Sequence, residues 1–305
     1  KTHDVQGIKR VEYWDSRYYR VQWQEKGKKE ITEKHFPSVT EILGAYPKDF
    51  LERWRGDVGN DRADQIVREA FALGSFVHYG AEMIAKGGTV IYSPIENPLY
   101  TPAELATLIA SCKNGYCICR TQREFVQLWR IKQFFDVVNP SYVETEQMVF
   151  SVKHEYAGTL DLILFIRGGK YAISGSTPLE LEEGYYICDF KTGKGVDYSY
   201  KMQLAAYTSA VMEGCPQFKD KIQGGLLLHS NNEQIKNGIE GFKATALTMD
   251  EFPDVFAHFL KVQDVYKIQK PIPSPKVFSM PATLSFKPTK VEETKKPAAR
   301  KTGKK

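Results

Sequence analysis

No apolar run in this 305-residue chain approaches the length of a bilayer-spanning helix. The N-terminus is polar and charged, so no secretory signal is expected, and the missing initiator Met suggests a processed or trimmed form. Cysteine is sparse and irregular: Cys112, Cys117, Cys119, Cys188 and Cys215 make an odd set without regular spacing. That argues against a disulfide framework and fits a reducing compartment. Cys112, Cys117 and Cys119 lie close together but form no CxxC pair and have no second ligand cluster, so neither a structural zinc nor an iron–sulfur cluster is expected. The chain has no internal repeat. It also has no GxxxxGK[ST] loop, so no attached nucleotide-driven motor is expected.

What is present suits a globular protein. The 42% hydrophobic and 12% aromatic shares allow a sizeable core, in one large domain or two medium ones. The net charge of +5 is unevenly spread: residues 287–305 hold eight Lys or Arg against two Glu, a surplus of six, which leaves about −1 for the rest. The basic balance therefore belongs to the tail and says little about what the body binds.

Val11 to Ile31 alternates around Glu25-Lys-Gly-Lys28 and predicts a β-hairpin. Ser38 and Glu41 form a capping box for a short helix to about Ala45. Further helices are expected at Leu51–Trp54, at Asp61–Lys86 with Gly74 permitting a close approach, after Thr101-Pro102, and at Thr121–Val138. The last would bury Phe125, Leu128, Trp129, Phe134 and Phe135. Gly88 to Tyr100 reads as a loop. After Asn139-Pro140 strands take over: Tyr142–Val152, Tyr156–Arg167, Lys170–Ser174, Tyr185–Lys191, Ile222–His229 and Gly241–Leu247. Gly175–Gly184 reads as a polar loop, and helices are expected at Asp197–Val211 and from Thr248-Met-Asp-Glu251 to Gln269. This gives an N-terminal hairpin at 1–35, a helical cover at 36–140, an α/β core at 141–270 and a Pro/Lys-rich tail at 271–305, disordered beyond about Phe286.

Tyr185 to Lys194 stands out, with an acid and a lysine on an otherwise apolar strand. Side chains alternate, so Asp189 and Lys191 share a face, their Cα atoms roughly 6.5–7 Å apart, and Phe190 points away. Asp161 lies in an equally apolar strand. Two buried acids repel unless a cation sits between them, and hard divalent cations take carboxylate oxygens. Glu146 and His78 are candidates to complete the shell; Glu144 shares a strand face with Glu146, and Glu82 shares a helix face with His78. A protonated Lys191 would neutralise a phosphate, orient a water or stabilise charge on phosphorus.

Gly158-Thr-Leu-Asp161, Asp189-Phe-Lys191-Thr192 and Gln203-Leu-Ala-Ala-Tyr207, in this order, resemble the PD-(D/E)XK nuclease superfamily, in its RecB-type exonuclease branch. Gly74-x-x-x-His78 and Phe36-Pro-Ser-Val-Thr40 extend the resemblance to roughly residues 36–270. It implies a restriction-endonuclease-like α/β core with a mixed central sheet flanked by helices. It implies Mg²⁺ or Mn²⁺ held by Asp161, Asp189, the Phe190 carbonyl and His78. Glu146 would be the early core acid, with Glu144 as the alternative. Lys191 would position or activate water, and Gln203 and Tyr207 would hold Lys191 and the DNA backbone. The iron–sulfur cysteine pattern of some members is absent. The implied activity is a DNA exonuclease acting on single-stranded ends. The aromatics Trp54, Phe71 and Tyr79 would either stack on that strand or pack in the core. An endonuclease, a flap nuclease or an inactive nucleic-acid-binding module are the alternatives. Recombination or replication proteins are candidate partners and a membrane is not. The compartment would be a bacterial or phage-infected cytoplasm, or an organelle after loss of a targeting segment.

Overall fold

The computed structural model describes residues 3–13, 16–25, 27–96, 102–113, 115–173, 178–230 and 241–270, and these belong to one compact unit. At the N-terminus β1 (His3–Tyr13), β2 (Ser16–Glu25) and β3 (Ile31–Pro37) form an antiparallel sheet. The alternation expected as one hairpin is thus shared among three strands, because β2 is central and pairs along both edges. Its inward residues Tyr19, Val21 and Trp23 pack with Phe36, Phe150 and Ala157.

The helical part follows. In α1 (Val39–Leu43) the Glu41 N–H donates to Ser38 Oγ at 3.0 Å, one half of the predicted capping box; the Ser38 N–H donates to the Arg17 carbonyl and the Glu41 carboxylate accepts from Lys270 instead. Next come α2 (Asp49–Val58), longer than the expected Leu51–Trp54, and α3 (Asn60–Ala85). β4 (Thr89–Tyr92) and β5 (Tyr116–Cys119) pair in parallel on either side of α4 (Pro102–Lys113). The expected Gly88–Tyr100 loop therefore begins as a strand, whose distant partner no local pattern could show. α5 (Gln122–Val138) opens on a capping box between Thr121 and Glu124. Trp129, expected inside, is 41% exposed and Arg130 is fully buried in its place. Neighbouring positions lie about 100° apart on a helix, so the buried stripe runs one position over.

The central sheet comprises β6 (Tyr142–Ser151), β7 (Tyr156–Ile166), β10 (Gly184–Lys191), β11 (Ile222–Ser230) and β12 (Phe242–Thr248), in the order β12-β11-β10-β7-β6. Between β7 and β10 a small antiparallel pair, β8 (Gly169–Tyr171) and β9 (Leu179–Leu181), takes up part of the predicted polar loop. The sheet is mixed: β10 and β11 are parallel and the other pairs antiparallel. A parallel pair needs a long crossover, which α6 (Tyr198–Gly214) supplies; α7 (Phe252–Gln269) packs beside it. Helices cover both faces. Leu162, Leu164, Phe190, Leu226 and Leu228 meet α3 and α5. Leu160, Ile163, Ile187 and Leu227 meet α6 and α7. Each such fully buried side chain contributes about 1.5–3 kcal/mol.

The molecule is thus an α/β protein with a mixed central sheet between helical layers. No described helix is long and apolar enough to cross a membrane. Residues 271–305, predicted disordered in part, lie outside the described residues, as do residues 174–177 at the start of the predicted polar loop.

Candidate active site

The site forms where β7 and β10 part. Their ladder ends at the Cys188–Leu162 pair. Beyond it the Phe190 N–H donates to Asp161 Oδ2 at 2.8 Å, so a carboxylate takes the place of a strand partner. Leu160 and Ile163 both pack toward α6. They are three apart in a strand of period two, so side-chain alternation slips by one at this point. The slip lets Asp161 leave the sheet face and reach His78 Nδ1 on α3 at 3.3 Å.

The neighbouring strand breaks at the same rung. Thr145 pairs with Leu162 and Gln147 with Leu160, but Glu146, opposite Asp161, has no ladder partner and a φ of 52°. A left-handed non-glycine residue costs about 1–3 kcal/mol, a strain that clusters at functional sites. Glu144, the alternative core acid, lies opposite Ile163 and accepts from Tyr142 Oη instead. Of the two acids, it is Glu146 that stands beside Asp161.

On β10, Asp189 and Lys191 share the α6 face as expected, and the Phe190 ring packs edge-on against His78 on the other side. Asp189 is 1% exposed. Its Oδ1 accepts from Gln203 Nε2 at 2.8 Å, while Oδ2 is in ion-pair contact with the Lys191 ammonium. Lys191 Nζ also donates to Gln203 Oε1 at 3.1 Å. One amide thus gives to the acid and takes from the lysine, which fixes its orientation. Gln203 Nε2 also lies 3.4 Å from Tyr207 Oη, one turn along α6. Tyr207 lies over Gly158, where a Cβ would come 2.5 Å from the ring, so the glycine of the Gly-x-x-Asp motif makes room for the tyrosine. Gly74 likewise faces Thr192, 3.2 Å from where its Cβ would be, which brings α3 against the loop after β10.

Electrostatics follow from burial and crowding. Desolvation raises Asp189 to about 6; the Lys191 ammonium opposes the rise and the Asp161 charge adds to it. Desolvation of the carboxyl also lifts Glu146, to about 7, reinforced by Asp161 and Glu82, although the residue as a whole is exposed to solvent. Burial would raise Asp161, but His78 and Lys191 outweigh it and hold its carboxyl below the usual value. Burial would lower His78 and Lys191, yet the facing carboxylates outweigh it and raise both.

Lys191 and His78 engage the inner carboxylate oxygens, and among the described residues no three His, Cys, Asp or Glu side chains converge as a ready metal cage. The donor set still fits a hard divalent cation. Asp161 and Asp189 are closely surrounded acids, the charge of Asp161 helping to raise the pKa of Asp189, and Asp189 Oδ2 is buried without a well-formed hydrogen bond. At Phe190 the N–H is directed at Asp161.

A scan against models of known protein families finds no match, and a search of curated proteins finds none.

Two residues join the site beyond those predicted for it. Glu82, noted in the sequence only as a helix neighbour of His78, accepts from Thr145 Oγ1 at 3.1 Å and from Lys86 Nζ at 2.5 Å, and its charge reaches Glu146. Tyr200 has its ring 4.8 Å from Lys191 Nζ. Its spacing from Gln203 and Tyr207, three and seven residues, is a one-face helical signal that was available in the sequence. The expected stacking aromatics divide: Phe71 and Tyr79 are exposed, at 69% and 37%, and Trp54 is half-buried.

Proposed function

We propose that this chain is a divalent-metal-dependent DNA exonuclease with a restriction-endonuclease-like core, acting from single-stranded ends. The observation that carries the reading is the half-buried lysine held between the buried Asp189 and Gln203, beside a second acid at the point where β7 and β10 part. Asp161 and Asp189 would hold Mg²⁺ or Mn²⁺, with His78, Glu146 and the Phe190 carbonyl as further donors. The cation supplies charge stabilisation to the phosphoryl oxygens of a phosphodiester.

The chain's own groups do the rest. Lys191, with its pKa raised, is an ammonium at neutral pH, so it donates: it orients an attacking water or a phosphate oxygen and steadies the charge that builds there. Glu146, lifted by burial and by the charges of Asp161 and Glu82, gains from a cation that would stabilise its ionised form. Gln203 holds Lys191 and Asp189 in one arrangement, and Tyr207 braces Gln203.

End-labelled single-stranded and double-stranded DNA, and closed circular DNA, incubated with Mg²⁺, Mn²⁺ or EDTA, test this. Degradation of single-stranded ends should require the metal and fall at least about a hundredfold in Lys191→Ala, the scale expected when one stabilising donor is lost. Activity that survives EDTA or the substitution would sink the mechanism. Cleavage of closed circles would move the assignment to an endonuclease of the same fold.

A further inference from the structure

Lys191 is held on one side by polar groups and on another by a ring. Its ammonium donates to Gln203 Oε1 at 3.1 Å and meets Asp189 Oδ2, while the Tyr200 ring centroid lies 4.8 Å from Nζ. A lysine ends in a compact charge on a four-carbon stem with many rotamers. Two contacts from one direction leave that stem free to swing; a third surface stops it.

We propose that Tyr200 is a positioning residue for Lys191: the face of its ring fixes the ammonium without neutralising it, so that one N–H stays directed at a phosphate or water. The proposal rests on the reading of Lys191 as the donor to the reacting group. A carboxylate in Tyr200's place would hold the lysine as well, but would cancel charge that the substrate needs and add a third acid to a crowded set. An aromatic face attracts a cation within about 6 Å through its quadrupole and carries no net charge. The scaffold suits the role. Tyr200 lies in the first turn of α6, where Asp197 Oδ1 accepts from the Ser199 N–H at 2.9 Å and pins the helix start. Tyr200, Gln203 and Tyr207 stand at i, i+3 and i+7, one stripe that presents ring, amide and phenol to β10.

The test separates ring, hydroxyl and bulk. Tyr200→Leu should lower kcat about tenfold on a single-stranded substrate with KM unchanged, and Tyr200→Phe should restore most of that loss. Phenylalanines carrying one, two and three fluorines at position 200 keep the volume and weaken the ring quadrupole stepwise, so kcat should fall stepwise across them. Their folding is secure even where the leucine variant melts early. Independently of activity, the NMR signals of the Lys191 ε-methylene should lie upfield from the ring current and move downfield in Tyr200→Leu. Full activity in Tyr200→Leu, a phenylalanine variant as poor as the leucine one, or a flat response to fluorination overturns the proposal. If Lys191→Ala itself keeps full activity, the nuclease reading fails instead, and the NMR shift alone then reports whether the ring holds the ammonium.

Discussion

Gly158 illustrates how a single residue shapes the candidate site through the side chain it lacks. Its missing Cβ is the space into which Tyr207 packs, 2.5 Å from where that carbon would be. Tyr207 in turn abuts Gln203, the amide that links Asp189 to Lys191. Gly158→Ala should force the ring aside and cost about 1–3 kcal/mol, the usual penalty for overpacking a filled interior. Chemical denaturation measures it, and the variant should lose activity beyond what its stability loss explains. An unchanged unfolding midpoint would show that Tyr207 moves away freely. The motif glycine was legible in the sequence; its reason was not, because Tyr207 arrives from a helix 49 residues further on.

At the scale of elements, the site is made by two strands that misalign together. β6 and β7 keep one register on either side of the rung that joins Glu146 to Asp161, yet that rung is unpaired and Glu146 is left-handed. The strain turns the Glu146 carboxyl toward Asp161 and Glu82, where Glu144, in regular strand geometry, bonds Tyr142. Glu146→Gly should relieve the conformation and stabilise the fold by up to about 1 kcal/mol, while lowering activity. Thermal melting read beside single-turnover rates decides this. A destabilised glycine variant would mean that the carboxyl, rather than the backbone, holds the rung. Sequence alternation placed Glu144 and Glu146 on one face and could not choose between them, since a left-handed residue breaks the very periodicity from which faces are read.

At the scale of the molecule, the helical layers meet at the acids. α3 brings His78 and Glu82 to one side, α6 brings Gln203 and Tyr207 to the other, and the N-terminal sheet braces β7 through a hydrogen bond between Tyr19 Oη and Thr159 Oγ1 at 2.9 Å. Gathering carboxylates this way leaves a mark on global stability. Asp189 and Glu146 rise from ordinary values of 3.8 and 4.5 to about 6 and about 7. Across that interval these two groups hold more protons in the folded protein than in the unfolded chain, so their contribution to stability falls as pH rises from about 4 to 7; the raised His78 extends the fall above 6.5, and the lowered Asp161 works in the opposite sense at the acid end. Metal-free protein titrated through this range in urea should show the decline, and Mg²⁺ should offset it by binding the ionised acids. A stability that climbs through the same window in Asp189→Asn and wild type alike would refute the assignment.

The α/β class, most of the strands and helices, and the facing of Asp189 and Lys191 were legible in the chain, because these depend on periodicities of two and 3.6 that any contiguous stretch displays. The sequence also carried the pairing of Gln203 with Tyr207, four apart on one helix. It is the folded arrangement that makes β4 a strand, buries Arg130 rather than Trp129, sets Glu146 rather than Glu144 against Asp161 and brings Glu82 to the site. Each of these depends on a partner far along the chain or on a backbone that leaves its regular repeat, and neither is written in local spacing.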